Sequence, residues 1–166
     1  MKLLIDTREQ APLVFPVTKG VEVIRQGLTV GDYTALHQDT KGEWRDLSVV
    51  ERKSLADCFG SFVGERYERE KAKWERARGD ARHYILAIEG TVTELLQGHT
   101  YWAQGTLRES RKSGLAQFRQ LLTISRKYPV SLWFCASRKE MAFRVLEYFL
   151  AAERIGRPLP DLGVGP

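Results

Sequence analysis

Four acidic residues, Asp6, Asp32, Glu51 and Glu89, stand at or near the ends of segments that read as β-strands. One of these segments, Val49-Val50-Glu51-Arg52-Lys53, is an apolar strand that finishes in charge. Side chains two apart share a strand face, so Glu51 and Lys53 point one way and Arg52 the other. A buried strand does not normally end in two charges on one face; such charges call for a cleft, a partner or a metal. Converging carboxylates repel one another unless a divalent cation sits among them. Oxygen-only donors favour Mg²⁺ or Mn²⁺ over zinc. A lysine beside such a cation can orient or deprotonate a water, or hold the charge that develops on a phosphate. These are the parts needed to hydrolyse a phosphodiester.

Each residue also has a plainer reading. Asp32 follows Gly31, and Gly-Asp is a common turn pair. Glu89-Gly90 would serve as a simple exit from a strand. Asp57 stands three residues after Ser54, a good N-cap, where a carboxylate suits the helix dipole.

The elements that must position these residues follow from periodicity. Leu3 to Ile5, Val21 to Ile24, Thr29 to Leu36 and Leu47 to Lys53 read as strands. The polar stretch Gln38 to Glu43 makes the last two a hairpin. A helix starts at Ser54, with Leu55, Phe59 and Phe62 on one face and a break expected near Gly64. Glu65 to Arg78 reads as a charged helix with Tyr67 and Trp74 on one face. Its acids and bases alternate, so it is expected to be a salt-bridged surface helix. Tyr84 to Glu89 is a buried strand and Thr91 to Leu96 a short helix. Gly98 to Gly105 reads as a loop, and Thr106 to Lys127 as one long helix with Leu115, Phe118, Leu121 and Leu122 on its apolar face. Val130 to Cys135 is a strand and Arg138 to Ile155 a helix. Strands first, then strands alternating with helices, indicate one α/β domain with a mixed sheet.

Composition bounds the rest. The chain has 166 residues, 43% hydrophobic and 28% charged, with a net charge of +5. That is an ordinary globular composition. No apolar run is long enough to span a membrane, and the charged N-terminus does not read as a signal peptide. Cys58 and Cys135 are too few for a disulfide scaffold and read as reduced, buried residues. His37, His83 and His99 are scattered, which argues against zinc. From Gln104 to Lys127 six basic residues face one acid, an excess equal to that of the whole chain. Within it Arg108, Arg111 and Lys112, with Tyr101 and Trp102 nearby, offer cations for phosphates and rings for base stacking.

Ile5-Asp6-Thr7-Arg8-Glu9, Val30-Gly31-Asp32-Tyr33 and Glu51-Arg52-Lys53-Ser54-Leu55-Ala56-Asp57 together resemble the nuclease domain of the XPF family of structure-specific endonucleases. That family's signature is Gly-Asp, a spacer, then Glu-Arg-Lys, three residues and Asp. The resemblance extends over about residues 3 to 150 and implies a restriction-endonuclease-like fold: a mixed central β-sheet flanked by helices. It implies cleavage of DNA near branches or flaps with Mg²⁺ or Mn²⁺, leaving 5′-phosphate and 3′-hydroxyl ends, in repair or recombination. Carried over, Asp32 and Glu51 are metal ligands, with the Arg52 carbonyl as a third donor. Asp6 completes the acidic cluster and Lys53 is the catalytic lysine. Arg8, Arg52 and Asp57 match positions that shape the site or touch phosphate, and Glu89 supports it.

The resemblance also sets expectations for organisation. The nuclease domain spans 1–156 and a Pro/Gly-rich tail 157–166, with neither the helix-hairpin-helix module nor the helicase-like part that many members carry. Such a stand-alone form is expected in the cytoplasm of a bacterial or phage-infected cell, near the nucleoid. Branch recognition then falls to the domain itself, a homodimer or a partner. The rival reading is a catalytically inactive DNA-binding or scaffolding subunit, against which the intact acids and lysine argue.

Overall fold

A computed structural model describes residues 1–155, apart from 40, 80–81, 99, 104–105, 111 and 129. The expected tail 157–166 lies outside the described residues. Six strands form one mixed sheet: β1 (Lys2–Ile5), β2 (Glu22–Arg25), β3 (Tyr33–Gln38), β4 (Trp44–Ser54), β5 (His83–Glu89) and β8 (Val130–Cys135). Their order is β2-β1-β3-β4-β5-β8. The β1–β3 and β3–β4 pairs are antiparallel; β1–β2, β4–β5 and β5–β8 are parallel. The β3–β4 ladder shifts register between Thr34 and Leu36.

The period-2 alternation of β4 and β5 divides the core into two layers. Val49, Tyr84, Leu86 and Ile88 pack with Cys58, Phe62, Trp74, Leu121 and Ile124 on one face. That layer is covered by α1 (Leu55–Ser61), α2 (Gly64–Gly79) and α4 (Gly114–Lys127). Val50, Ile85 and Ala87 pack on the other face with Met141, Val145, Leu146 and Phe149. These last four belong to α5 (Arg138–Ile155), whose bounds match the expected helix. A mixed sheet flanked by helices is thus the architecture the sequence implied.

Local chemistry sets several boundaries. Ser54 caps α1 by accepting from the Asp57 backbone N–H. Thr91 and Glu94 form a reciprocal capping box on α3 (Val92–Leu96). The break expected near Gly64 separates α1 from α2.

Three expectations fail. Residues 29–32 are not strand; β3 starts at Tyr33 because Gly31 turns the chain at φ +75°. The loop and long helix expected over 98–127 are instead an antiparallel ribbon followed by a shorter helix. Strands β6 (Thr100–Ala103) and β7 (Thr106–Glu109) pair before α4 begins at its Ser113 cap. On α4 the buried stripe is Gly114, Gln117, Leu121 and Ile124, while Leu115 and Leu122 are exposed. Cys58 and Cys135 are free and buried, as read from the sequence. No helix among the described residues is long and apolar enough to cross a membrane.

Candidate active site

The C-terminal end of β4 carries Glu51, Arg52 and Lys53 into two different layers. Glu51 and Lys53 turn toward α2 and Arg52 toward α5, as the strand period requires.

On the α2 side the charges form a closed ring. Lys53 Nζ donates to Glu51 Oε1 at 3.4 Å and to Glu70 Oε1 at 3.2 Å. Lys73 Nζ donates to the same two oxygens at 2.8 and 3.3 Å. Tyr84 closes the rear, its hydroxyl donating to Glu51 Oε2 at 3.2 Å. Burial raises the Glu51 pKa, but Lys73 and Lys53 more than reverse this, so the carboxyl is held below its usual range. The Lys73 ammonium is favoured in turn: burial opposes its charge, and Glu51 overcomes that.

On the α5 side Arg52 is a brace. Its Nη1 donates to Glu89 Oε2 at 2.9 Å, its Nη2 to Glu9 Oε1 at 3.1 Å and its Nε to Glu9 Oε2 at 3.4 Å. Arg138 reaches Glu89 Oε2 at 3.3 Å and also holds the carbonyls of Ala11 and Pro12. The guanidinium fork therefore ties the loop after β1 to β5 and α5. Glu89 enters through this brace and stands outside the residues that line the cleft described next.

Asp32 sits between the two networks. Gly31 delivers it: a Cβ there would lie 2.1 Å from Val49 Cγ1, so the chain presses directly against β4. The Asp32 backbone N–H donates to Val50 O, and its carbonyl accepts from Asp6 N–H. The Arg52 N–H donates to Asp32 Oδ2 at 2.7 Å. Among the described residues no donor is bonded to Oδ1. Burial, and then the Glu51 charge, push the Asp32 carboxyl up to about 7, despite the Arg52 hydrogen bond.

These groups line a cleft of about 320 Å³, with Asp6, Arg8, Glu9, Thr29 and Lys73 on its walls beside Asp32, Glu51 and Arg52. Arg8 is largely exposed at its rim. Asp6, expected as a metal ligand, has both oxygens engaged. Arg8 binds Oδ1 through its backbone N–H and Nε and Oδ2 through Nη2, and Leu28 N–H also donates to Oδ2. The Arg8 bond chiefly holds Asp6 down to about 2. Among the described residues no three His, Cys, Asp or Glu side chains group as a metal cage. Asp6, Glu9, Asp32 and Glu51 are the carboxylates that line the cleft, and among the described residues Asp32 is the one of the four with an oxygen that accepts no hydrogen bond. Lys53 is buried behind Glu51 and does not line the cleft. Asp57 is exposed at the α1 cap, where Ser54 Oγ donates to it at 2.8 Å, and also stays outside the cleft.

Glu9, Glu70, Lys73 and Tyr84 are site residues that the sequence reading missed. For the α2 pair a signal existed: Glu70, Lys73, Trp74 and Ala77 fall at i, i+3, i+4 and i+7, the face on which Trp74 and Ala77 are buried. The helix is not only a solvated surface element. In the expected DNA-binding segment, Tyr101 pairs with Arg108 and Trp102 with Leu107 along the β6–β7 ribbon. Lys112 is half-buried and donates to Gln120 Oε1. Arg111 lies outside the described residues.

A family model described as the ERCC4 domain matches residues 5–146. Among solved structures the chain is similar to XPF from Aeropyrum pernix, at 19% identity and a TM-score of 0.63, over 93% of this chain and 66% of that one. It is also similar to XPF from Aeropyrum pernix in complex with DNA, at 20% identity and a TM-score of 0.62, over 96% and 68% of the two chains. The chain thus spans about two thirds of the length of these structures and shares their fold. No curated protein matches it.

Proposed function

The chain belongs to the ERCC4 domain family, and from that membership we propose that it is a divalent-metal-dependent DNA endonuclease that hydrolyses phosphodiester bonds at branched or flap DNA. One observation carries the reading. Asp32, pushed up to about 7 by burial and by Glu51, faces a cleft that also holds the cations Arg8 and Lys73. A carboxylate placed at such cost marks a position where positive charge is wanted. The donor set is oxygen only and so fits Mg²⁺ or Mn²⁺: Asp32, Glu51 and, by family resemblance, the Arg52 carbonyl. The complex of the related XPF with DNA supports DNA as the polyanion.

When bound, such a cation supplies Lewis acidity at phosphorus and a lowered pKa for water. The chain's own residues do the rest. Arg52 and Gly31 fix the height of Asp32 against β4. Lys53 and Tyr84 set the Glu51 carboxylate from behind. Arg8, already charge-paired with Asp6, presents its free edge to a phosphate at the rim. Lys53, the lysine of the family motif, lies behind Glu51 and outside the cleft, so it acts on the attacking water through the Glu51 carboxylate it positions, with Glu70 as its other partner. Water displaces the 3′ oxygen, leaving a 5′-phosphate and a 3′-hydroxyl.

The test is cleavage of labelled splayed-arm, flap, four-way-junction, duplex and single-stranded DNA with Mg²⁺ or Mn²⁺, beside EDTA and Asp32→Ala controls. Metal-dependent cuts near a branch, lost in the variant, are expected. DNA binding with no cleavage of any substrate would replace this reading with that of a scaffolding subunit.

A further inference from the structure

Two lysines share the same two oxygens, and they are not equivalent. Both Lys53 and Lys73 donate to Glu51 Oε1 and Glu70 Oε1. The Lys53 side chain is 8% exposed; that of Lys73 is 36% exposed and lines the cleft. The ring of two carboxylates and two ammoniums is neutral as it stands. Its shortest contact, 2.8 Å, is the one between Lys73 and Glu51.

We propose that Lys73 is an exchangeable placeholder for the cation on Glu51, and that on release its ammonium becomes the phosphate-contacting lysine of the cleft. This rests on the endonuclease reading. Two positive charges competing for one carboxylate oxygen repel strongly at low dielectric. The lysine that gives way is the one with open space in front of it. Lys53 has none, enclosed by Glu51, Glu70 and the α1–α2 layer. Lys73 is carried by α2, a 16-residue helix anchored by Trp74 and Ala77, so its stem is fixed while its head is free to turn. The cleft into which it turns already holds Arg8, so the two cations would grip one phosphate from two walls. The ring keeps Glu51 paired until metal and substrate arrive, and then supplies charge to the substrate.

Mn²⁺ alone, titrated calorimetrically into the full chain without DNA, reads the exchange directly. Lys73→Met retains the apolar stem and removes the competitor, so its Mn²⁺ affinity should rise about threefold or more. The same variant should lose about 10- to 100-fold in kcat/KM on a cleaved branched oligonucleotide. Lys73→Arg should bind Mn²⁺ close to wild type and recover part of the cleavage. Tighter metal binding with weaker cleavage is the signature, because a merely structural role for Lys73 would weaken both. Unchanged or weaker Mn²⁺ binding by Lys73→Met, with wild type binding Mn²⁺ and cutting DNA, overturns the placeholder role alone. Wild type that neither binds Mn²⁺ nor cuts overturns the endonuclease reading and this one with it.

Discussion

The backbone N–H of Arg52 donates to Asp32 Oδ2 at 2.7 Å, while the Arg52 side chain grips Glu9 and Glu89 in the opposite layer. One residue therefore places an acid at the cleft with its main chain and braces the wall behind it with its side chain. The two functions can be separated by mutation.

Arg52→Met keeps the amide and removes the fork. It strands Glu9, whose side chain is 7% exposed, and leaves Glu89 with Arg138 alone. Loss of one partner from a buried ion network costs about 3–5 kcal/mol. Urea denaturation should show a loss of that order, and Arg52→Lys should recover less than half, since an ammonium cannot hold two carboxylates as a fork does. Adding Glu9→Gln to Arg52→Met should restore part of the loss. A cycle with no coupling between the two positions would show that the brace does not act as one.

Gly31→Ala tests the delivery of Asp32. The new Cβ would collide with Val49 Cγ1, and φ +75° is unfavourable for alanine. Together these should cost about 2–4 kcal/mol. Val49→Ala in the same chain removes the collision but not the backbone strain, so stability should return only in part. Thermal denaturation of the two variants separates the two contributions.

Asp32 makes metal-free stability depend on pH. Its folded pKa, about 7, lies above the unfolded value, so the folded state binds the proton more tightly. The protein is then most stable below the unfolded pKa, loses stability as pH rises from about 4 to 7, and levels off above. The full span is at most about 4 kcal/mol. Asp32→Asn keeps the acceptor for Arg52 N–H and removes the charge. In EDTA it should be more stable than wild type at pH 8 and nearly equal at about pH 4, while cleavage is lost. Equal stability at both pH values would mean that Asp32 titrates as an ordinary carboxylate.

Neutralising Arg108, Arg111 and Lys112 together should weaken DNA binding about equally for all sequences. The slope of log affinity against log salt should become shallower by about two to three. Binding titrations at several salt concentrations measure it; an unchanged slope puts the DNA surface elsewhere than the β6–β7 ribbon and the start of α4.

The strand Val49 to Lys53 was legible because alternation along β4 is strict and both of its faces are spoken for. Arg138 to Ile155 was legible because one apolar stripe, Met141, Ala142, Val145, Leu146 and Phe149, repeats at helical spacing. The ribbon was not, since Leu107 and Arg108 suit a helix as well as a strand, and only pairing with Tyr101 and Trp102 decides between them. The Ser113-Gly114 start of α4 was the available signal. Glu70 and Lys73 were hidden for another reason. Charge on a helix looks solvated in one dimension, and only Glu51 and Lys53, about twenty residues earlier in the chain, supply the partners. Glu9 lay in view beside Asp6, but its partner Arg52 is brought to it only by the sheet order.

The register shift between Thr34 and Leu36 has a bearing on how this molecule can change. A one-residue slip in a two-faced strand would exchange its layers, sending Arg52 toward Glu70 and burying Glu51 among the apolar side chains of α5. The shift lies between the turn at residues 39–43 and the pairs Tyr33–Val50 and Thr34–Val49, which align the site. Insertions in that turn have an irregularity at which to be absorbed before they reach Asp32 and Glu51. Length variation among descendants of this chain, natural or designed, has a tolerant port of entry there, and none between Val49 and Lys53.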